Sequence, residues 1–170
     1  VEETNIEGKV TMGKRESVYA VGDRKPQRYG KTDTDLQKIR ITLDSGPTAD
    51  VMPSDELCQV EAVPCTGSRV NRTMFAADGT KIESKGEKKF KAVTDEGFPL
   101  NFNFIAGAVK KILKSTAITC DEGGDRGQWV IQTKTGGWIV NVETTRKIPF
   151  KRSGNIYYMG AWVKLPDKNK

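Results

Sequence analysis

The sequence predicts an all-β domain, built as a small closed or partly open barrel with one short helix. Several segments alternate apolar and polar residues with a period of two, which is typical of half-buried strands. Turn signals rich in glycine and aspartate separate these segments at short intervals, as in small barrels and sandwiches. Only one stretch places apolar residues at helical spacing. With 170 residues, the chain is long enough to bury a core as one domain without disulfides or a metal.

The clearest predicted strand covers residues 38–44 and ends at Asp44. Its polar and apolar residues alternate, so one face would be buried, and that face consists of Ile39, Ile41 and Leu43. Residues 51–53 predict a short second strand that Pro53 stops. Residues 54–57 follow, and a serine at their start predicts a single capped helical turn.

Four hairpins are predicted after this point, each from a turn signal between two extended segments. The first turn is Asp78-Gly79, a strong hairpin signal because both residues tolerate the required backbone angles. The other turns lie at residues 95–97, 135–137 and 151–155. The paired segments are 70–77 with 81–93, 90–94 with 98–105, 129–133 with 138–142, and 147–150 with 156–163.

One helix and two polar ends complete the predicted organisation. Residues 109–118 carry apolar side chains at helical spacing and predict the short helix. Residues 1–37 are polar and mixed in charge, apart from a strand-like segment at 18–21, and predict an extension or linker. We expect the folded domain to cover 38–165 and a polar tail to cover 166–170.

Composition excludes several classes of site. The chain has no histidine, so neither a Ser-His-Asp nor a Cys-His site can be built, and zinc would lack ligands. We therefore expect no metal and no cofactor. The three cysteines form no Cys-x-x-Cys motif, which favours reduced thiols and an intracellular location, cytoplasmic or nuclear.

The charge and hydropathy of the chain bear on its partners. The net charge of +6 would suit an acidic partner such as nucleic acid, but the basic residues are spread along the chain, which favours a solvated basic surface. No apolar run reaches the roughly 20 residues that span a bilayer, so we expect no membrane partner.

The run Asp44-Ser45-Gly46 at the end of the first strand predicts the half-site of an aspartic protease. Hydrolysis of a peptide without a covalent intermediate needs a water molecule held between two carboxylates that share one proton. The motif occurs once, so one chain supplies one carboxylate and the activity would require a homodimer. The same three residues are also common in an ordinary turn after a strand, which remains an alternative.

Each residue of the run would have its own role in such a site. Asp44 supplies the carboxylate, and Ser45 can form a hydrogen bond across the interface between the two copies. Gly46 lets the backbone approach the carboxylate and can donate its N–H to it. Thr48 provides a further hydroxyl near the site.

At residues 43–53, the run Leu-Asp-Ser-Gly-Pro-Thr-Ala-Asp-Val-Met-Pro resembles the active-site segment of retropepsin-like aspartic proteases, especially those of copia-type retrotransposons. Residues 75–86 resemble the flap hairpin of that group, residues 111–118 its Leu-Leu-Ser-Val type segment, and residues 155–163 its C-terminal strand. The likeness covers about residues 38–165.

The resemblance implies a barrel of the retropepsin type and a homodimeric endopeptidase with its active site on the two-fold axis. Its substrate would be a peptide or a polyprotein, and polyprotein processing is the usual task of the family. The flap that covers the substrate would consist of Phe75, Ala76, Ala77, Asp78, Gly79 and Thr80.

Two positions depart from the family pattern. Pro47 stands where alanine or serine is common, and Lys114 stands where retropepsins usually have a glycine packed behind the active-site loop. We expect the side chain of Lys114 to point outward. These departures keep open a catalytically inactive module for binding or dimerisation.

A small basic β-barrel that binds nucleic acid is the third alternative. Its stacking surface would be the Tyr157-Tyr158 pair beside Lys151 and Arg152. The three tryptophans are expected to be core or interface anchors; they are Trp129, Trp138 and Trp162.

Overall fold

The computed structural model describes residues 35–70, 73–76 and 78–166. Within these residues the chain forms eleven strands, one α-helix and one 3-10 turn at Gly67–Arg69. The elements in chain order are β1 Leu36–Asp44, β2 Val51–Pro53, β3 Met74–Phe75, β4 Lys81–Ile82, β5 Glu87–Thr94, β6 Pro99–Gly107, β7 Ile112–Ser115, α1 Thr116–Asp121, β8 Gln128–Thr133, β9 Gly136–Asn141, β10 Lys147–Ser153 and β11 Ile156–Lys164.

Six of the strands close into a barrel in the order β1-β7-β2-β6-β5-β11, since β11 pairs again with β1. That closing pair is antiparallel and continuous from Leu36–Lys164 to Leu43–Tyr157. The strands β10, β9 and β8 extend from β11 as a three-stranded antiparallel layer. The predicted small all-β barrel with a short helix is therefore confirmed, and the barrel is closed.

The main core joins residues of the barrel strands with residues of β9 and β10 in the adjoining layer. Strand β1 contributes to it as its alternation predicts, since Ile39, Ile41 and Leu43 are buried. Three phenylalanine rings from β5 and β6 lie with centroids 5.6–5.8 Å apart, and they belong to Phe90, Phe102 and Phe104. Such contacts add to the free energy that apolar burial alone provides.

A second, smaller apolar cluster lies beside the barrel and connects three regions of the chain. Ala49 and Val51 come from the segment after β1, Met74 comes from β3, and Ile105 comes from β6. Ile82 of β4 packs against this cluster. The β3–β4 hairpin and the segment after β1 therefore share one packing unit.

The four predicted hairpins are all present, but the first is much shorter than expected. Only two residues on each side pair around its turn, and Lys81 does not begin one long strand to Val93. The extended strand is interrupted at residues 83–86, because Gly86 has a φ of 104°. Gly86 also lies against Val63, where a Cβ would be 2.5 Å from the Val63 carbonyl oxygen. Strand β5 starts after that break.

Two predictions of helix were wrong. Residues 109–118 were expected to form one helix, but β7 occupies 112–115 and pairs with β1, so only residues 116–121 are helical. Their apolar spacing fits both structures, and barrel pairing decides in favour of the strand. Residues 54–57 form turns without a helix, with Leu57 at a φ of 54°.

The predicted domain boundary at residue 38 lies close to the start of the sheet, because β1 begins at Leu36. The strand-like segment at 18–21, most of the predicted extension at 1–37, and most of the predicted tail lie outside the described residues.

Candidate active site

Asp44 is the last residue of β1, and its side chain is half-buried. Its carboxylate oxygen Oδ1 accepts the backbone N–H of Gly46 at 2.9 Å, the hydrogen bond that the motif predicts. A Cβ at Gly46 would lie 3.4 Å from the same oxygen, which is ordinary van der Waals contact. The glycine therefore serves the site through its N–H, and the space beside it does not exclude an alanine.

The residues after Asp44 form a short loop, 45–50, that leads into β2. Ser45, Gly46 and Thr48 are exposed in this loop. Asp44 thus presents its carboxylate from the rigid end of a strand, beside three small exposed residues. No residue of the loop itself carries a large side chain.

The loop is fastened to the neighbouring strand β7, which runs parallel to β1 with Asp44 opposite Ser115. The Ser115 backbone N–H donates to Asp50 Oδ1 at 2.8 Å, and the Ser115 hydroxyl donates to the Pro47 carbonyl at 2.9 Å. The same hydroxyl accepts the N–H of Ile118 and caps the N-terminus of α1.

Lys114 also belongs to this attachment, so the expectation that it points outward was wrong. Its side chain is buried, and its ammonium nitrogen Nζ lies 2.8 Å from Asp50 Oδ2 and 3.0 Å from Glu122 Oε1. Asp50 is only 3% exposed. A lysine can be buried at this position because a buried carboxylate neutralises its charge.

The sequence reasoning missed Asp50, and a signal for it was present. Asp50 is a charged residue inside an otherwise apolar run from Ala49 to Met52. Lys114 likewise interrupts the apolar residues of β7. Two opposite charges, each beside apolar residues of a short segment, are the pattern that a buried ion pair produces, because a lone buried charge is too costly.

The predicted flap corresponds to the β3–β4 hairpin. In its turn, Ala76 N–H donates to the Thr80 carbonyl at 2.8 Å, and Gly79 adopts a φ of 87°. The backbone N–H of Thr80 donates to Asp78 Oδ1 at 2.9 Å, and this bond lowers the pKa of Asp78. Phe75 is 64% exposed, and Ala77 lies outside the described residues.

The base of this hairpin is packed against the barrel. The end of β6 passes so close that a Cβ at Gly107 would lie 3.0 Å from Ile82 Cγ2. The Lys85 N–H donates to the Ala106 carbonyl at 2.8 Å. The base of the hairpin therefore packs in the same small apolar cluster as Val51, which is the first residue after the Asp44 loop.

An open cleft of about 650 Å³ lies between residues 62–70 and 73 on one side and β4 with the residues that follow it, 83–86, on the other. Buried Glu87 supports its outer wall, because Arg69 Nη1 lies 3.4 Å from Glu87 Oε2 and Arg69 Nη2 donates to the Asn103 carbonyl. Burial raises the pKa of Glu87, but the Asn103 side chain and the Arg69 charge outweigh this and hold it below its usual value. Asp44 does not line this cleft.

The remaining aromatic residues divide between core and surface. Trp162 is buried in the core, whereas Trp129 and Trp138 are exposed on the β8–β9 layer. Of the two roles expected for these exposed tryptophans, the core role is wrong and the interface role stays a prediction. Tyr158 is 1% exposed, with the Arg40 guanidinium 3.8 Å from its ring centroid. The Tyr157 ring packs on the Phe150 ring and its hydroxyl donates to the Thr133 carbonyl. The expected base-stacking surface is therefore not available on Tyr158.

Within 35–70, 73–76 and 78–166, no group of three or more histidine, cysteine, aspartate or glutamate side chains could hold a metal ion. No helix in the same part of the chain has the length and apolar character needed to cross a membrane. None of the known protein-family models, curated proteins or solved structures matches the chain significantly.

Proposed function

We propose that this protein is an aspartic endopeptidase of the retropepsin type that acts as a homodimer on peptide or polyprotein chains. The observation that carries the proposal is the position of the Asp44 carboxylate and the hydrogen bonds around it. A half-buried carboxylate lies at the end of a paired strand and accepts the Gly46 N–H. The loop that follows it is attached to β7 by two hydrogen bonds from Ser115. The closed β-barrel around it also agrees with the proposal.

The chemistry follows from two such carboxylates brought together by a second copy of the chain. Two carboxylates about 3 Å apart cannot both ionise, so the pair holds one proton. The ionised Asp44 takes a proton from a bound water molecule as its oxygen attacks the scissile carbonyl carbon. The protonated Asp44 of the second copy donates its proton to the carbonyl oxygen, giving a neutral gem-diol.

The gem-diol then collapses, and the same two groups complete the reaction. The C–N bond breaks as one hydroxyl of the gem-diol returns its proton to a carboxylate, and the other Asp44 protonates the leaving nitrogen. The products are a carboxylic acid and an amine, and the pair again holds one proton. We expect an acidic or mildly acidic optimum, because the pair must keep that proton.

The hairpin β3–β4 is proposed to cover the substrate. Its base packs in the apolar cluster that includes Val51, and Val51 follows Asp44 by seven residues in the sequence. The hairpin also carries the exposed ring of Phe75. An exposed aromatic side chain at a short hairpin offers apolar surface to a bound peptide.

The test compares wild type with Asp44→Asn on a library of internally quenched peptides and on a denatured protein, from pH 4 to 7. Asparagine keeps the size of the side chain and can still accept the Gly46 N–H, but it cannot hold the shared proton. We expect cleavage to fall by at least a thousandfold, in line with the loss of a group that acts in the chemical step. Asp125→Asn, in the exposed loop after α1, is the matched control and should cleave as wild type does.

Two further readouts separate this proposal from its alternatives. Activity per chain should rise with protein concentration if two copies form one site, and a statine-type analogue should inhibit it. A wild-type protein that binds peptides but never cleaves them would instead favour the inactive binding or dimerisation module. Cleavage that persists in Asp44→Asn would refute the proposal.

A further inference from the structure

The junction between β7 and α1, formed by Lys114 and Ser115, contacts the Asp44 loop at three places. Ser115 lies opposite Asp44 in the sheet, its hydroxyl holds the Pro47 carbonyl, and its N–H holds one oxygen of Asp50. Lys114 holds the other oxygen of Asp50. The start, the middle and the end of the loop are therefore all attached to the same two adjacent residues, Lys114 and Ser115.

Both oxygens of the Asp50 carboxylate have their own donor, and this fixes the carboxylate in position and in rotation. The donors are a backbone N–H and a buried ammonium, both at 2.8 Å. Buried ion pairs are seldom more stabilising than apolar side chains of the same volume, because both charges lose their hydration. The pair and the Ser115 N–H therefore give the Asp50 end of the loop two directional contacts, which apolar packing would not provide.

We propose that Ser115 and Lys114 are positioning residues for the reaction: they set where the loop holds the Asp44 carboxylate and so how closely the two Asp44 carboxylates approach. This inference rests on the proposed aspartic-protease function. Neither residue touches the substrate in this proposal. Both act through Pro47 and Asp50, and thus through the path of the backbone beside Asp44.

The distance between two carboxylates determines how strongly their protonations are coupled. A closely held pair has two apparent pKa values that lie far apart, and the singly protonated pair exists between them. If the loop loosens, the carboxylates separate on average and their repulsion falls. The two apparent pKa values then approach each other, so the bell-shaped pH profile of kcat becomes narrower.

The central variant is Ser115→Ala, with Ser115→Thr as its conservative partner. Alanine removes the bond to Pro47, whereas threonine keeps a hydroxyl that can make this bond and cap α1. For Ser115→Ala we expect kcat to fall about ten- to a hundredfold with KM within about twofold of wild type, since a displaced carboxylate weakens the transition state more than substrate binding. Ser115→Thr should recover most of kcat.

A double variant, Lys114→Met with Asp50→Asn, separates positioning from folding. It removes both charges of the buried pair, and Glu122, which also loses Lys114, is about half exposed. The asparagine keeps an oxygen for the Ser115 N–H, so the melting temperature should fall much less than in Lys114→Met alone. We nevertheless expect kcat to remain at least tenfold lower and the pH profile to stay narrow. Thr94→Ala, which removes a buried hydroxyl that accepts the Phe98 N–H far from the loop, is the control for a purely structural loss.

The outcomes distinguish this inference from the function on which it rests. If wild type cleaves and Asp44→Asn does not, the function holds. Ser115→Ala and the double variant would then overturn the positioning role if their folded fractions showed an unchanged pH profile and an unchanged kcat. If neither wild type nor any variant cleaves, the protease function fails and the positioning role fails with it.

Discussion

The loop after β1 and the turn of the β3–β4 hairpin contain the same local motif but are held by different means. In each, an aspartate Oδ1 accepts the backbone N–H two residues later at 2.9 Å: Gly46 on Asp44, and Thr80 on Asp78. The first loop is also attached to β7 by two hydrogen bonds from Ser115 and by a buried ion pair. The hairpin turn is exposed, and only two residues pair on each side of it.

A turn motif of this kind therefore does not by itself identify an active site. The same side-chain-to-backbone bond can close any tight turn. Rigidity comes from long-range contacts, which fix one loop and leave the other attached mainly at its base. A rigid carboxylate and a loosely attached cover are what hydrolysis under a flap would require.

The largest expected effect concerns the buried ion pair that attaches the first loop to β7. Lys114→Met leaves Asp50 buried with one oxygen unpaired, and we expect the free energy of unfolding to fall by about 3–5 kcal/mol. Urea denaturation at neutral pH measures this change. Lys111→Met, at an exposed position just before β7, should change it by no more than about 0.5 kcal/mol. Equal effects of the two variants would show that the pair does not hold the loop.

The sequence predicts the first loop only in part. The strand to Asp44 and the short strand at 51–53 follow from alternation and from Pro53, and the structure confirms both. The hydrogen bond from the Gly46 N–H to the Asp44 carboxylate is also predictable, because it joins residues only two positions apart. The attachment to β7 does not, because it joins residues 64 and 65 positions apart in the chain. Such pairing depends on which strands become neighbours, and a single sequence does not determine that.

The same reasoning explains the wrong helix prediction at 109–118. The apolar side chains of Ile112 and Leu113 fit a helix and a buried strand equally well. The barrel needs a strand beside β1 at this point, and parallel pairing with Ile41 and Thr42 provides it. By contrast, the hairpins at residues 95–97 and 151–155 join strands that are adjacent in sequence, so their local turn signals were sufficient.

A smaller effect is expected at Glu87, which supports the chain leading to the hairpin. Glu87→Gln removes the charge that faces Arg69, and we expect a loss of about 1–2 kcal/mol in the free energy of unfolding at pH 7. Glu83→Gln on the hairpin is the matched control, since its side chain is 81% exposed and its pair with Lys85 is worth little.

The pH dependence of this difference has a definite sign. Because the folded protein holds the pKa of Glu87 below its usual value of 4.5, the carboxylate stabilises the fold fully above that value. The stabilisation is lost as the pH falls through the lowered pKa. Wild type and Glu87→Gln should therefore converge in stability as the pH falls below 4.5, and a difference that grew on acidification would contradict the arrangement.

The smallest expected effect on stability is at Phe75, in the hairpin itself. Because its side chain is 64% exposed, Phe75→Ala should change the free energy of unfolding by no more than about 0.5 kcal/mol. If the hairpin covers the substrate, the same change should raise KM several-fold while kcat changes less, since it removes binding surface and no reacting group. Trp129→Ala is matched in exposure, at 61%, but lies on the β8–β9 layer and should leave KM unaltered. A KM that rises equally in both variants would mean that Phe75 offers only general apolar surface, and the contrast between a rigid loop and a substrate-binding hairpin would then fail.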